Sequence, residues 1–92
     1  MYLEIISPET TLFQGEVSTV SLPGTDGSFQ ILENHAPIVS TLHEGVVTIN
    51  GQFDLPEASQ QYFESVSKTE LSFKMTSGTV EMKNNKIILL SD

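Results

Sequence analysis

Ninety-two residues make one domain with one core, and the absence of cysteine excludes disulfides and thiolate metal sites. Four basic against twelve acidic residues give a formal charge of −8, which argues against nucleic-acid binding and against unaided adsorption to anionic lipid. No stretch approaches 18 consecutive apolar residues, and the first residues include Glu4 but no basic leader, so neither a membrane span nor a signal peptide is expected.

Tyr2 to Ser7 alternates as a strand, with Leu3 and Ile5 on one face and Glu4 on the other. Ser7-Pro8-Glu9-Thr10 is a turn, Thr11 to Gln14 a brief return broken at Gly15, and Glu16 to Leu22 the next strand. The apolar positions change parity between Val17 and the Val20/Leu22 pair, as when a chain passes from one sheet to another. Pro23-Gly24-Thr25-Asp26-Gly27 is a turn cluster. Phe29 and Ile31 then share one face of a short strand. Glu33-Asn34-His35-Ala36-Pro37 is a polar corner in which the proline pushes Ala36 towards extended backbone.

Ile38 to Leu42 leaves the corner as a strand, and Val47 and Ile49 alternate with Thr48 after the tight connection Glu44-Gly45. Asn50 to Thr69 shows no alternation; Pro56 suits the first position of a short helix, Glu57 suits the positive end of its dipole, and Tyr62 or Phe63 is expected to pin it to the core. Leu71, Phe73 and Met75 alternate with polar residues, as do Val80 and Met82. Asn84-Asn85 reads as a two-residue hairpin turn, since asparagine tolerates positive φ. Ile87 to Leu90 is apolar on both faces, as in a central or doubly covered strand. The pattern predicts one all-β domain over 1–92, a flattened antiparallel sandwich or barrel of about ten short strands, with a short helix or loop insertion near residues 51–69.

No catalytic, cofactor-binding or metal site is expected. His35 and His43 lack a third ligand at suitable spacing. Thr25-Asp26-Gly27 lacks the further oxygen ligands of a calcium loop, and Gly24 and Gly27 form no phosphate-binding pattern.

Gly27, Phe29, Ile31, Leu32, His35, Ala36 and Pro37 form the pattern G-x-F-x-I-L-x-x-H-A-P ahead of an apolar strand. With Leu3 to Pro8, Phe13-Gln14-Gly15-Glu16-Val17, Glu44 to Ile49, Ser77 to Met82 and Ile87 to Asp92, this order resembles the epsilon subunit of bacterial F-type ATP synthase, called delta in mitochondria. Gln30 and Glu33 depart from it, standing where relatives often carry glycine and proline. Many relatives also continue into two C-terminal helices.

The resemblance implies a non-catalytic central-stalk subunit, monomeric within its complex. It would bind the gamma subunit and the membrane ring of c subunits and couple proton-driven rotation to ATP synthesis. Its place would be peripheral, on the cytoplasmic face of the bacterial inner membrane, and no ATP binding is expected of residues 1–92. By position in the motif, Asp26, Gly27 and Ser28 with Glu33, Asn34, His35, Ala36 and Pro37 are expected at the end that meets the ring loops. Ser7, Ser40 and Leu42 are expected to face gamma. Ser28 stands where some relatives carry an acidic residue that pairs with a basic ring loop, and Asp26 or Glu33 can substitute for it. The alternative is a free-standing β-sandwich module for a ligand such as a carbohydrate, for which the absence of tryptophan and the two tyrosines offer little stacking surface. A small metal hydrolase built on the two histidines is a weaker third.

Overall fold

The computed structural model describes residues 1–52 and 55–92; Phe53 and Asp54 of the insertion lie outside the described residues. Ten strands and one short helix follow in order: β1 (Tyr2–Ile6), β2 (Thr11–Glu16), β3 (Thr19–Gly24), β4 (Gly27–Leu32), β5 (Ile38–Leu42), β6 (Gly45–Asn50), α1 (Glu57–Gln60), β7 (Glu64–Ser67), β8 (Glu70–Met75), β9 (Gly78–Lys83) and β10 (Lys86–Ser91). The order β2-β1-β10-β9-β5 forms one layer, and β3-β6-β8-β7, with β4 on the outer side of β3, forms the other. A single pairing, Gly24 with Leu42, joins the layers. Nearly all neighbours are antiparallel; β1 and β10 run parallel.

The inward residues of every strand but β7 meet between the layers. Leu3, Ile5, Val20, Ile31, Val47, Ile49, Ile87 and Leu89 are completely buried, and Phe73, Met75, Val80 and Met82 nearly so. At roughly 2 kcal/mol for each buried aliphatic side chain, these positions supply the driving force that short strands lack on their own.

Two readings of the sequence need correction. Gly15 does not break its strand, because β2 continues through it to Glu16 in register with β1. The crossing that explains the parity change is instead at Val17-Ser18, where the chain leaves the first layer for the second. In the insertion, α1 forms as expected but starts at Glu57, with Pro56 one residue earlier. Phe63 is the residue that pins it, its ring 5.9 Å from that of Phe13 and 5.5 Å from that of Phe73, while Tyr62 is exposed. The same stretch ends in a strand that the sequence does not announce. β7 is exposed at every residue and pairs with β8 through a bulge between Ser65 and Ser67, so it has no buried face to impose alternation.

For β10 the sequence leaves open a central or a doubly covered strand. It is central, but only its inner face is covered: Ile87 and Leu89 are buried, while Leu90 on the outer face is 48% exposed. The Asn84-Asn85 turn is as expected, both residues having positive φ, 52° and 60°.

Candidate interaction surfaces

Strand direction sorts the connections into two poles. At one lie Ser7–Thr10, Thr25-Asp26, His43-Glu44, Thr76-Ser77 and Asp92. They are tied by Thr25 N–H to Thr41 O (3.2 Å), His43 N–H to Pro23 O (3.0 Å) and Asp92 N–H to Ser77 O (3.1 Å). At the other lie the N-terminus, Val17-Ser18, the corner 33–37, Lys68-Thr69 and Asn84-Asn85.

β4 runs between the poles, with Gly27 at its start and Leu32 at its end. The Asp26-Gly27-Ser28 turn and the Glu33 to Pro37 corner are therefore separated by the length of a six-residue strand, roughly 17 Å. The expectation that both loops share one end is not met.

The first pole is acidic. Glu9, Asp26 and Glu44 are exposed there together with Asp92, and Lys74 is the lysine nearest to them, beside Glu44 in a shallow pocket. Lys68, Lys83, Lys86 and the α-ammonium of Met1 all belong to the corner pole.

Glu33 is not a free loop charge. Its Oε1 accepts from the α-ammonium at 2.7 Å and from Asn85 Nδ2 at 2.9 Å. The ammonium also donates to Val17 O at 3.1 Å and lies 3.3 Å from Glu16 Oε2. The bond to Glu33 holds the ammonium pKa above its ordinary value, against the opposing effect of burial, and Glu16 adds to it. In turn the ammonium, then Asn85, hold the Glu33 carboxyl below its ordinary value. His35 is exposed, its Nδ1 2.7 Å from Ala36 O, and Asn34, Ala36 and Pro37 are exposed beside it.

On β5 the expected gamma-facing residues point inward. Leu42 is 3% exposed in the core, and Ser40 shares its half-buried side; alternation turns Val39 and Thr41 outward instead. Val39 is 75% exposed. Pairing carries its row across the layer through Glu81, Ile88 and Glu4 to Gln14. A second row runs from Thr41 through Thr79 and Leu90 to Ile6. Glu4 is engaged by Gln14 Nε2 at 3.3 Å and Lys86 Nζ at 3.8 Å, whereas Glu81 has no ion-pair partner among the described residues. The outer face of the other layer carries Thr19, Ser21, Gln30, Thr48 and Ser72, with Leu32 and Val46 exposed among them. Sequence reading does not single out the apolar face of the first layer, because residues 87–90 are compatible with a central or a doubly covered strand.

Among the described residues, no three His, Asp or Glu side chains gather as a metal site, and no helix is long and apolar enough to cross a membrane. The fold and its surfaces define a small β-sandwich that presents an acidic pole and an uncovered apolar face. Residues 1–92 match the family described as ATP synthase, Delta/Epsilon chain, beta-sandwich domain. The chain belongs to that family. It is 36% identical over 90 residues to the ATP synthase epsilon chain of Chlorobium limicola, covering 98% of this chain and 86% of that one. It is also 36% identical to the epsilon chain of Leptospira borgpetersenii, of which it spans 59%. A chain of the Tetrahymena thermophila mitochondrial ATP synthase central stalk and c-ring structure shares the fold, with TM-score 0.74 at 16% identity over 99% of this chain and 62% of that one. A chain of the Euglena gracilis mitochondrial ATP synthase structure gives 0.73 at 12% identity, over 97% and 48%.

Proposed function

We propose that this domain is a non-catalytic central-stalk element of a rotary ATP synthase, joining the gamma subunit to the membrane ring so that the two turn together. The family match over the whole of 1–92 carries the reading, with the chemistry performed in other subunits. In a bacterial cell its place would be the cytoplasmic face of the inner membrane, as a peripheral part of the complex. It would be present there as a single copy.

Two surfaces support a division of labour. The acidic pole, with Asp26, Glu9 and Glu44, suits the basic polar loops expected of the ring. The face carrying exposed Val39 and Leu90, with half-buried Ile6 and Ile88 beside them, suits gamma, since burying the exposed pair returns on the order of 1 kcal/mol each. The corner goes with gamma rather than with the ring, because Pro37 and Ile38 run directly into Val39. Clefts lined by Pro37, Val39 and Glu81, and by Val39, Glu81 and Leu90, make one continuous surface. Glu81 then calls for a cation on gamma. Stiff ladders between these surfaces suit an element that must carry torque without deforming.

Binding of the full chain to purified gamma, measured by calorimetry, tests this. Val39→Asp together with Leu90→Glu should weaken binding at least tenfold and leave the fold intact, because neither side chain fills the core. Binding of the double variant at wild-type strength would remove this face from the gamma interface. A wild-type chain that binds neither gamma nor ring subunits would refute the stalk role.

A further inference from the structure

The corner 33–37 turns the chain from one layer to the other, and its own backbone supplies one hydrogen bond to the turn, His35 N–H to Leu32 O at 3.1 Å. Further support comes from the α-ammonium, which holds Glu33, and from Asn85, some fifty residues along the chain. Its Oδ1 accepts from Asn34 N–H at 2.9 Å, and its Nδ2 donates to Glu33 Oε1 at 2.9 Å. Its own carbonyl accepts from Tyr2 N–H at 3.1 Å. Only one orientation of the amide serves both side-chain bonds, because the flipped group would set NH2 against N–H and oxygen against carboxylate.

Residue 85 must also adopt φ near +60° to close the hairpin. Asparagine meets all three demands: left-handed backbone, an acceptor and a donor. Aspartate would face Glu33 with a second negative oxygen, and glycine would keep the turn but lose both bonds. Asn84, the other turn residue, shares the positive φ but makes no side-chain hydrogen bond within the described structure, so hairpin and bridge are separable.

We propose that Asn85 is a positioning residue for docking to gamma: it holds Asn34 to Pro37 preformed against the apolar face, so that gamma meets an ordered corner. This rests on the gamma-binding role argued above. The gain is in preorganisation, since a corner already ordered loses less freedom on binding. The charged groups facing the bridge are Glu33, the α-ammonium and, through the ammonium, Glu16.

The test uses the full chain with Asn85→Gly, Asn85→Asp and, as a control for the turn, Asn84→Gly. Amide hydrogen exchange is followed at Asn34 and His35 in the free protein, with Val47 and Leu89 as core references, and gamma affinity is measured by calorimetry. Both Asn85 variants should speed exchange at the corner and leave the core references unchanged. Both should weaken gamma binding about tenfold, while Asn84→Gly keeps wild-type affinity. If Asn85→Gly does not fold, Asn85→Asp, which retains Oδ1, decides alone. Wild-type exchange at the corner in the Asn85 variants would overturn the bridge. Faster exchange with undiminished binding would overturn its role in docking, and an equal loss in Asn84→Gly would assign the effect to the hairpin and overturn it likewise. A wild-type chain that fails to bind gamma overturns the stalk reading and this inference together, an outcome distinct from the others.

Discussion

Glu33 Oε1 lies 2.7 Å from the α-ammonium of Met1, joining residues thirty-two apart across the corner pole of the sandwich. The pair ties the N-terminus to the β4–β5 corner and, through Asn85, to the β9–β10 hairpin. A residue expected to serve as a free ring-facing charge is therefore part of the fold's own bonding, and reversing its charge would disturb the corner itself.

The pair sets a pH window. The ammonium pKa is raised above its ordinary 8.0, so its contribution is complete below about pH 8 and is lost as pH rises through the folded value. The Glu33 pKa is lowered from its ordinary 4.5, so its contribution is complete above that value and is lost as pH falls through the folded one. Thermal melts should show a plateau between about pH 5 and 8 that declines on both sides. Glu33→Gln should shallow the acid side most, and the alkaline side less because Glu16 still faces the ammonium. Parallel wild-type and variant profiles would show that the pair carries no pH dependence.

Phe63 should matter and Tyr62 should not. Phe63 is packed between Phe13 and Phe73, so Phe63→Ala should cost about 2 kcal/mol, less than a fully buried ring would. Tyr62→Ala should stay within about 0.5 kcal/mol, as surface changes do. Urea denaturation of both variants separates them, and equal midpoints would contradict the packing.

Gly78 opens β9 where the strand is too crowded for a side chain. A Cβ there would meet the Leu90 carbonyl oxygen and would lie 2.6 Å from Met75 Cε. The backbone oxygen belongs to a central strand and has no room to retreat, so Gly78→Ala should cost about 3 kcal/mol. Gly15→Ala is the comparison, since a Cβ there finds ordinary contact with Phe13 at 3.5 Å, and its denaturation midpoint should fall much less.

The acidic pole gives an electrostatic prediction that avoids Glu33. Asp26→Lys with Glu44→Lys should leave the melting temperature nearly unchanged, because both side chains are exposed. In reconstituted membranes the double variant should weaken association with the ring by about 1 kcal/mol for each exposed pair, an effect that fades as salt rises. Unchanged proton-coupled ATP synthesis at low salt would remove this pole from the ring contact.

Much of the architecture follows from local pattern. Period-two burial in β1, β8 and β9 repeats the alternation of Leu3/Ile5, Leu71/Phe73/Met75 and Val80/Met82, because one face of each strand must leave water. The Asn84-Asn85 turn follows from the tolerance of asparagine for positive φ. The motif running from Gly27 to Pro37 resembles a family to which the chain does belong. What the residues alone did not determine depends on pairings between distant segments. Strand direction, set by partners far along the chain, puts the Asp26 turn and the His35 corner at opposite poles although the two residues stand nine positions apart. Parity separates Val39 from Ser40 and Leu42, yet only the assembled layer shows which side water reaches, and so leaves Val39 and Leu90 outside and buries Leu42. The engagement of Glu33 with Met1 and Asn85 likewise needed the tertiary fold, because hydrogen bonds between loops from four parts of the chain leave no periodic trace in sequence.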